Sequence, residues 1–184
     1  VLCEKVDDRA PGLADLDVDF RFCAADGLAD AVRGAQALLL WDFFSTAVRD
    51  AWPDAKDLEW IHITAAGVDT LLFDELRDSG VVVTNARGVF DLGIAEYVLG
   101  AVLMHAKDSL GNLRLQRQHL WQHRETALAA RQHALVIGAG SIGSEVARLL
   151  AALDIELTGL ARTAREAPHF TRVLASAQLD AVLP

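Results

Sequence analysis

Short apolar runs alternate with amphipathic stretches along most of this chain. Leu16, Val18, Phe20 and Phe22 alternate with Asp17, Asp19 and Arg21, the period-two signature of a half-buried strand. Residues 36–41 (QALLLW) form a continuous apolar run, as in a strand covered on both faces. Residues 58–64 (LEWIHIT) and 80–84 (GVVVT) are further strand candidates with many β-branched positions. The intervening stretches 27–33, 44–52 and 69–78 have the composition of short helices. Asp69 is the expected N-cap of the last, and Gly80 follows its end. Strand–helix alternation of this kind predicts a parallel sheet wrapped by helices.

From Asp91 the period changes. Ile94, Ala95, Val98, Leu99, Val102, Leu103 and Ala106 recur at helical spacing, and Tyr97, Ala101 and Met104 make the other faces apolar too. A helix apolar nearly all round is expected to be buried, here between two domains or two subunits. Residues 107–131 read as helix and loop, with a polar His- and Arg-rich stretch around Trp121. At His133 a second unit begins. Ala134, Leu135, Val136 and Ile137 form a compact strand candidate that runs straight into Gly138-Ala139-Gly140-Ser141-Ile142-Gly143. Ile142, Val146, Leu149, Leu150 and Leu153 then line one helical face, and residues 155–160 read as the next strand. One βαβ unit and the start of another fit before Pro184, whereas a dinucleotide-binding sheet uses two mononucleotide halves. The pattern therefore predicts a nucleotide domain that continues past Pro184, and 184 residues that are not by themselves a working catalyst.

Composition narrows the function classes. Hydrophobic residues make up 52% of the chain and charged residues 23%, which excludes an intrinsically disordered protein. With 17 basic against 26 acidic residues and no basic block, nucleic acid and anionic membrane are excluded as expected partners. The most apolar stretch, residues 89–104, is interrupted by Asp91 and Glu96 and falls short of the roughly 18 apolar residues that argue for a membrane span. Cys3 and Cys23 are too few for a disulfide framework, so reduced thiols and a cytoplasmic location are expected. No signal-peptide core is visible at the amino end, and a first residue of Val1 suggests trimming there.

The glycine turn carries the sharpest chemistry. Gly138 permits a tight turn, Gly140 lets the backbone approach a pyrophosphate, and Gly143 lets the helix pack closely on the strand. The N–H groups of Ser141 and Ile142 would face the phosphates at the helix start. The end of the next strand sets the choice of cofactor. An acid there would hold the ribose 2′-hydroxyl, but the chain reads Leu160-Ala161-Arg162-Thr163-Ala164-Arg165, with no acid before Glu166. Arg162 and Thr163 can grip a 2′-phosphate instead, so NADP is the expected cofactor, with NAD possible. Residues 62–69 end a strand in a small-residue turn (HITAAGVD) whose N–H groups can bind an anion such as a carboxylate. His119 and His123 would share a helix face, but no metal site is expected, because further ligands are lacking. His62 and His105 lie in apolar patterns and are expected in the core or an interface, while Asp7 and Asp8 are expected as solvated surface.

The order of these features resembles the D-isomer-specific 2-hydroxyacid dehydrogenase family, which includes phosphoglycerate dehydrogenases and glyoxylate/hydroxypyruvate reductases. Residues 64–69 (TAAGVD), 82–107 (with Ala95-Glu96-Tyr97 at its centre) and 135–143 (LVIGAGSIG) carry the resemblance, with Trp121 ahead of the last. It implies an α/β architecture, a flavodoxin-like substrate domain followed by an incomplete Rossmann dinucleotide-binding domain. The expected limits are 1–107 for the substrate domain with its interdomain helix, 108–130 for a linker and dimerisation segment, and 131–184 for the start of the NAD(P)-binding domain. It also implies an NAD(P)-dependent oxidoreductase that moves a hydride between a nicotinamide and a 2-oxo acid or D-2-hydroxy acid, as a homodimer. By the same resemblance, Ala66, Gly67 and Val68 would contact the substrate carboxylate, and Gly138, Gly140, Ser141, Ile142 and Gly143 would form the pyrophosphate cradle. Two departures stand out. Many members have Asn where this chain has Phe90, and the family's catalytic Arg, Glu and His lie in a carboxy-terminal part beyond Pro184, so no catalytic residue is assigned. A regulatory relative of the same fold, a corepressor-like protein that binds a dinucleotide without catalysis, is the alternative.

Overall fold

Three strands of four residues, β1 (Ala37–Leu40), β2 (Trp60–Ile63) and β3 (Val82–Asn85), pair in parallel and in chain order. Leu38 lies opposite Ile61, which lies opposite Val83. The computed structural model describes residues 1–7 and 9–183, so Asp8 and Pro184 lie outside the described residues. Two parallel bridges extend this sheet, from Leu2 to Leu40 and from Leu2 to Cys23. The extended positions therefore run Cys23, Leu2, β1, β2, β3 in space. Numbered along the chain this is 2-1-3-4-5, the flavodoxin-like order. Short helices α1 (Leu28–Ala31), α2 (Ala47–Ala51) and α3 (Asp74–Arg77) supply the connections. Their Leu28, Val48 and Leu76 join Leu38, Leu40, Ile61 and Ile63 in one buried cluster, so a single apolar sheet face takes all three helices.

Two local expectations fail in this first unit, Val1–Arg87. No strand forms over residues 16–22, and Leu16 and Val18 are exposed. Alternation alone makes no strand without an edge to pair with. The amino-terminal segment offers one only around Leu2 and Cys3, where Cys3 N–H donates to Cys23 at 2.9 Å and Cys23 N–H donates to Val1 at 3.1 Å. The helix expected from Asp69 is likewise shortened. Residues 69–71 are a turn, with the Leu71 and Leu72 N–H groups both donating to Val68. The N-cap position is Phe73, whose side chain makes no capping bond; Asp74 and Glu75 in the first turn supply the favourable charge instead. Gly80 follows as expected, with a φ of 74°.

The second unit, Gly88–Pro184, contains α4 (Asp91–Ala106), α5 (Ser109–Arg117), β4 (His133–Ile137), α6 (Ser141–Ala151), β5 (Glu156–Ala161) and β6 (Arg172–Ala175). Its strands are parallel in the order β4-β5-β6, one mononucleotide half of a Rossmann sheet. Helix α4, expected with the first domain, packs on α6 in this unit, and the contact-defined boundary falls between Arg87 and Gly88. Ala95 is fully buried there beside Ala147 and Leu150, while Leu92, Ile94, Tyr97 and Met104 on other faces are exposed. Beyond α5 the chain is irregular to residue 132, and Trp121 is fully exposed. Arg124 anchors this stretch by an ion pair with Asp108 and a hydrogen bond to Asn112. Among the described residues no helix is long and apolar enough to cross a membrane.

Candidate cofactor site

The turn from β4 into α6 has the geometry that its glycines predict. Gly138 adopts a φ of 105°, in the left-handed half of the map that side chains disfavour. Its N–H and that of Ala139 both donate to Leu160 of β5, at 2.9 and 2.8 Å. The turn is thereby fixed to the neighbouring strand. A Cβ at Gly143 would lie 2.0 Å from the Gly138 carbonyl oxygen and 3.3 Å from the Val136 side chain, so only glycine allows this approach of helix to strand. At Gly140 the opposite holds: nothing lies within 4 Å of a built Cβ. Gly140 is the extended N-cap, and the first hydrogen bond of the helix runs from Ser144 N–H to the Gly140 carbonyl at 2.9 Å. The N–H groups of Ser141, Ile142 and Gly143 are consequently uncommitted, as in any helix first turn. An open surface, three convergent donors and the positive end of the α6 dipole fit a diphosphate.

Side chains complete the surroundings. The Ser141 hydroxyl donates to Asp91 at the start of α4. The Arg165 guanidinium donates to the Ala139 carbonyl and so lies against the glycine turn. Arg162 and Thr163, just past β5, are exposed, and their side chains make no hydrogen bond or ion pair among the described residues. A charge and a hydroxyl at the end of the second strand are therefore available for a ligand, with Arg165 as a second cation from the same loop.

In the first unit, the 64–69 turn leaves β2 at its carboxyl end, where open α/β sheets bind ligands. Thr64 holds one end of it, donating from its hydroxyl to the Leu40 carbonyl at 2.9 Å. Thr70 holds the other through the Phe43 carbonyl at 3.2 Å. Asn85, at the end of β3, donates from Nδ2 to the Ala66 carbonyl at 2.7 Å. The N–H groups of Ala66, Gly67 and Val68 make no hydrogen bond among the described residues. The turn is thus braced by its carbonyls and side chains while its donors stay free, an arrangement that suits an anion.

The histidines are placed differently from one another. His62 lies on the sheet, its Nδ1 2.9 Å from the Thr84 hydroxyl, which also accepts from Trp60. His105, expected in a core or interface, is exposed on α4. His119 and His123 do not share a helix, because α5 ends at Arg117 and His119 takes a φ of 54°. No metal-ligating group of three or more His, Cys, Asp or Glu residues forms among the described residues. Sequence reasoning missed Asn85, Asp91 and Arg165. Each stands one to three residues beyond a position singled out from the pattern, but its partner is a backbone or hydroxyl group that no side-chain motif announces.

Residues 99–184 match the family described as D-isomer specific 2-hydroxyacid dehydrogenase, NAD binding domain. Among solved structures, the chain is similar to a D-isomer specific 2-hydroxyacid dehydrogenase family protein from Aeromonas salmonicida subsp. salmonicida A449. The identity is 27% and the TM-score 0.73, over 91% of this chain and 54% of that one. A protein of the same description from Klebsiella pneumoniae 342 is 26% identical with a TM-score of 0.71, over 88% and 50% of the two chains. The NADPH-dependent glyoxylate/hydroxypyruvate reductase of Sinorhizobium meliloti, solved with NADP and sulfate, shares the fold at 23% identity and a TM-score of 0.69, over 93% and 54%. The chain spans about half the length of the solved relatives it matches.

Proposed function

We propose that this chain, whose residues 99–184 match the NAD-binding domain of the D-isomer-specific 2-hydroxyacid dehydrogenase family, serves an NADP-preferring reductase of small 2-oxo acids to D-2-hydroxy acids. The observation that carries the reading is the glycine turn, open at Gly140 and closed to any side chain at Gly143. The bound nicotinamide supplies or accepts the hydride; the chain's own residues bind and orient. Backbone N–H groups of Ser141, Ile142 and Gly143 hold the diphosphate, with Gly138 and Gly140 shaping the turn. Arg162 and Thr163 hold the 2′-phosphate, and Arg165 adds its charge. The N–H groups of Ala66, Gly67 and Val68 hold the substrate carboxylate, which fixes the oxo carbon for transfer.

Residues 1–87 act in this reading as the substrate side and the unit from Gly88 on as the nucleotide side, with 108–130 contributing to a two-fold homodimer in the cytoplasm. The regulatory alternative is not favoured, since no observation supports control of assembly by a bound dinucleotide. Titration of the protein with NADPH and NADH by nicotinamide fluorescence, followed by an absorbance assay with glyoxylate and hydroxypyruvate on the full-length enzyme that carries these residues, tests the proposal. Tighter binding and faster turnover with NADPH support it. Equal kinetics with the two cofactors remove the case for NADP preference, and binding without turnover of any 2-oxo acid removes the case for a reductase.

A further inference from the structure

The first residues of two helices meet beside the glycine turn. Asp91 opens α4, Ser141 opens α6, and the Ser141 hydroxyl donates to Asp91 Oδ2. The other carboxylate oxygen, Oδ1, is buried and has no hydrogen-bond partner among the described residues. A buried carboxylate oxygen normally gathers donors, because leaving it bare is costly. Here the compensation is a field. Asp91 lies in the first turn of its own helix and, through Ser141, beside the first turn of α6, so two positive helix ends face one negative charge. That is the charge a diphosphate would bring to α6.

We propose that Asp91 is a positioning residue that sets the strength of dinucleotide binding. It withholds the Ser141 hydroxyl from the diphosphate, and its charge opposes a second anion at the α6 terminus. The dinucleotide is then held by backbone N–H groups and leaves readily. The proposal rests on the reading that the Gly138–Gly143 turn takes the diphosphate. It makes a distinct demand, because the diphosphate is common to NADH and NADPH. Asp91 must act on both equally, whereas Arg162 and Thr163 act on the difference between them.

Fluorescence titrations with NADPH and NADH, on the protein and its D91N, D91A, S141A and D91A/S141A variants, test this directly. D91N keeps an acceptor for the Ser141 hydroxyl and removes only the charge. It is expected to tighten both dinucleotides by about two- to fivefold at an unchanged NADPH-to-NADH ratio, the range that a charge at a helix terminus typically commands. S141A alone is the baseline for D91A/S141A, a pair that isolates the Asp91 charge from the hydroxyl. D91A frees that hydroxyl and should bind more tightly than D91A/S141A. A merely structural role for Asp91 would weaken binding, and thermal unfolding of D91N shows whether the fold is kept. Binding that is unchanged or weaker in D91N overturns the proposal, as does a D91A/S141A variant that binds no more tightly than S141A. No binding to the unsubstituted protein overturns the underlying reading of the turn itself.

Discussion

Gly143→Ala is the most direct probe of the glycine turn. The added Cβ would stand 2.0 Å from the Gly138 carbonyl oxygen and 3.0 Å from its carbon. Real Cβ atoms do not approach closer than about 3.0 Å, so the first turn of α6 must retreat from the β4 turn by about 1 Å. The obstacle is backbone, not the end of a flexible side chain, so no rotamer change relieves it. Overpacking of this kind costs about 1–3 kcal/mol, and the absence of a soft neighbour places this site at the upper end. A unit of this size loses about 4–8 °C of Tm per kcal/mol, which makes the loss measurable by thermal unfolding. Ligand binding should suffer more than stability. The Ser141, Ile142 and Gly143 N–H groups move with the helix, and each hydrogen bond to the charged diphosphate that is lost costs about 1.5–3 kcal/mol.

Gly100→Ala supplies the control. Gly100 lies inside α4 with nothing within 4 Å of a built Cβ, so alanine there should stabilise the helix by about 0.5–1 kcal/mol. It should leave NADPH binding unchanged. The refuting result is specific: Gly143→Ala with an unfolding temperature and an NADPH Kd indistinguishable from those of Gly100→Ala. The turn would then tolerate a side chain, and close helix–strand approach would not be what positions the donors.

Arg162→Ala should lower NADPH affinity about tenfold or more, the loss expected for a charge-assisted contact of about 1.5–3 kcal/mol, while NADH binding stays put; equal losses for both would contradict a 2′-phosphate role. Asn85→Ala removes the 2.7 Å bond that braces Ala66 and, in the full-length enzyme of the proposed reading, should raise the KM for the oxo acid by about fivefold with less change in kcat; a pure kcat effect would place Asn85 elsewhere in the chemistry. Light scattering of the full-length protein at micromolar concentration should give a dimer, and Trp121→Ser in the irregular 118–130 stretch should shift it towards monomer; a monomeric parent would refute the assembly. Cys3 and Cys23 are buried, and burial pushes the Cys23 thiol up, so both should resist a thiol reagent until the protein is denatured. The protonated Cys23 thiol favours the folded state fully below the ordinary thiol pKa, an advantage lost as the pH rises through the raised value; rapid native labelling would count against this packing.

How far the sequence reveals this molecule depends on where each element finds its partners. Strands β1, β2 and β5 were legible because their side chains meet a continuous apolar layer written in residues 36–41, 58–64 and 155–160, while β4 is announced by the apolar run 134–137 directly ahead of the glycine turn. Strand β6 was not: in Arg172–Ala175 only Val173 is buried, and pairing with β5 through the backbone leaves no pattern to read. The same reason explains the false strand at residues 16–22, where the pattern is strong and the pairing edge is missing. The site divides along the same line. Gly138, Gly140 and Gly143 announce themselves because the absence of a side chain is itself a sequence signal with a fixed spacing. Asp91 and Ser141 stand fifty positions apart, and Arg165 reaches back to the carbonyl of Ala139. Such contacts exist only after α4 has packed on α6 and β5 beside β4. The residues proposed to hold a dinucleotide are therefore local and readable, and those proposed to tune its grip are long-range and visible only in the fold. That division explains why Arg162→Ala follows from sequence alone, whereas D91N, acting on both dinucleotides alike, required the structure.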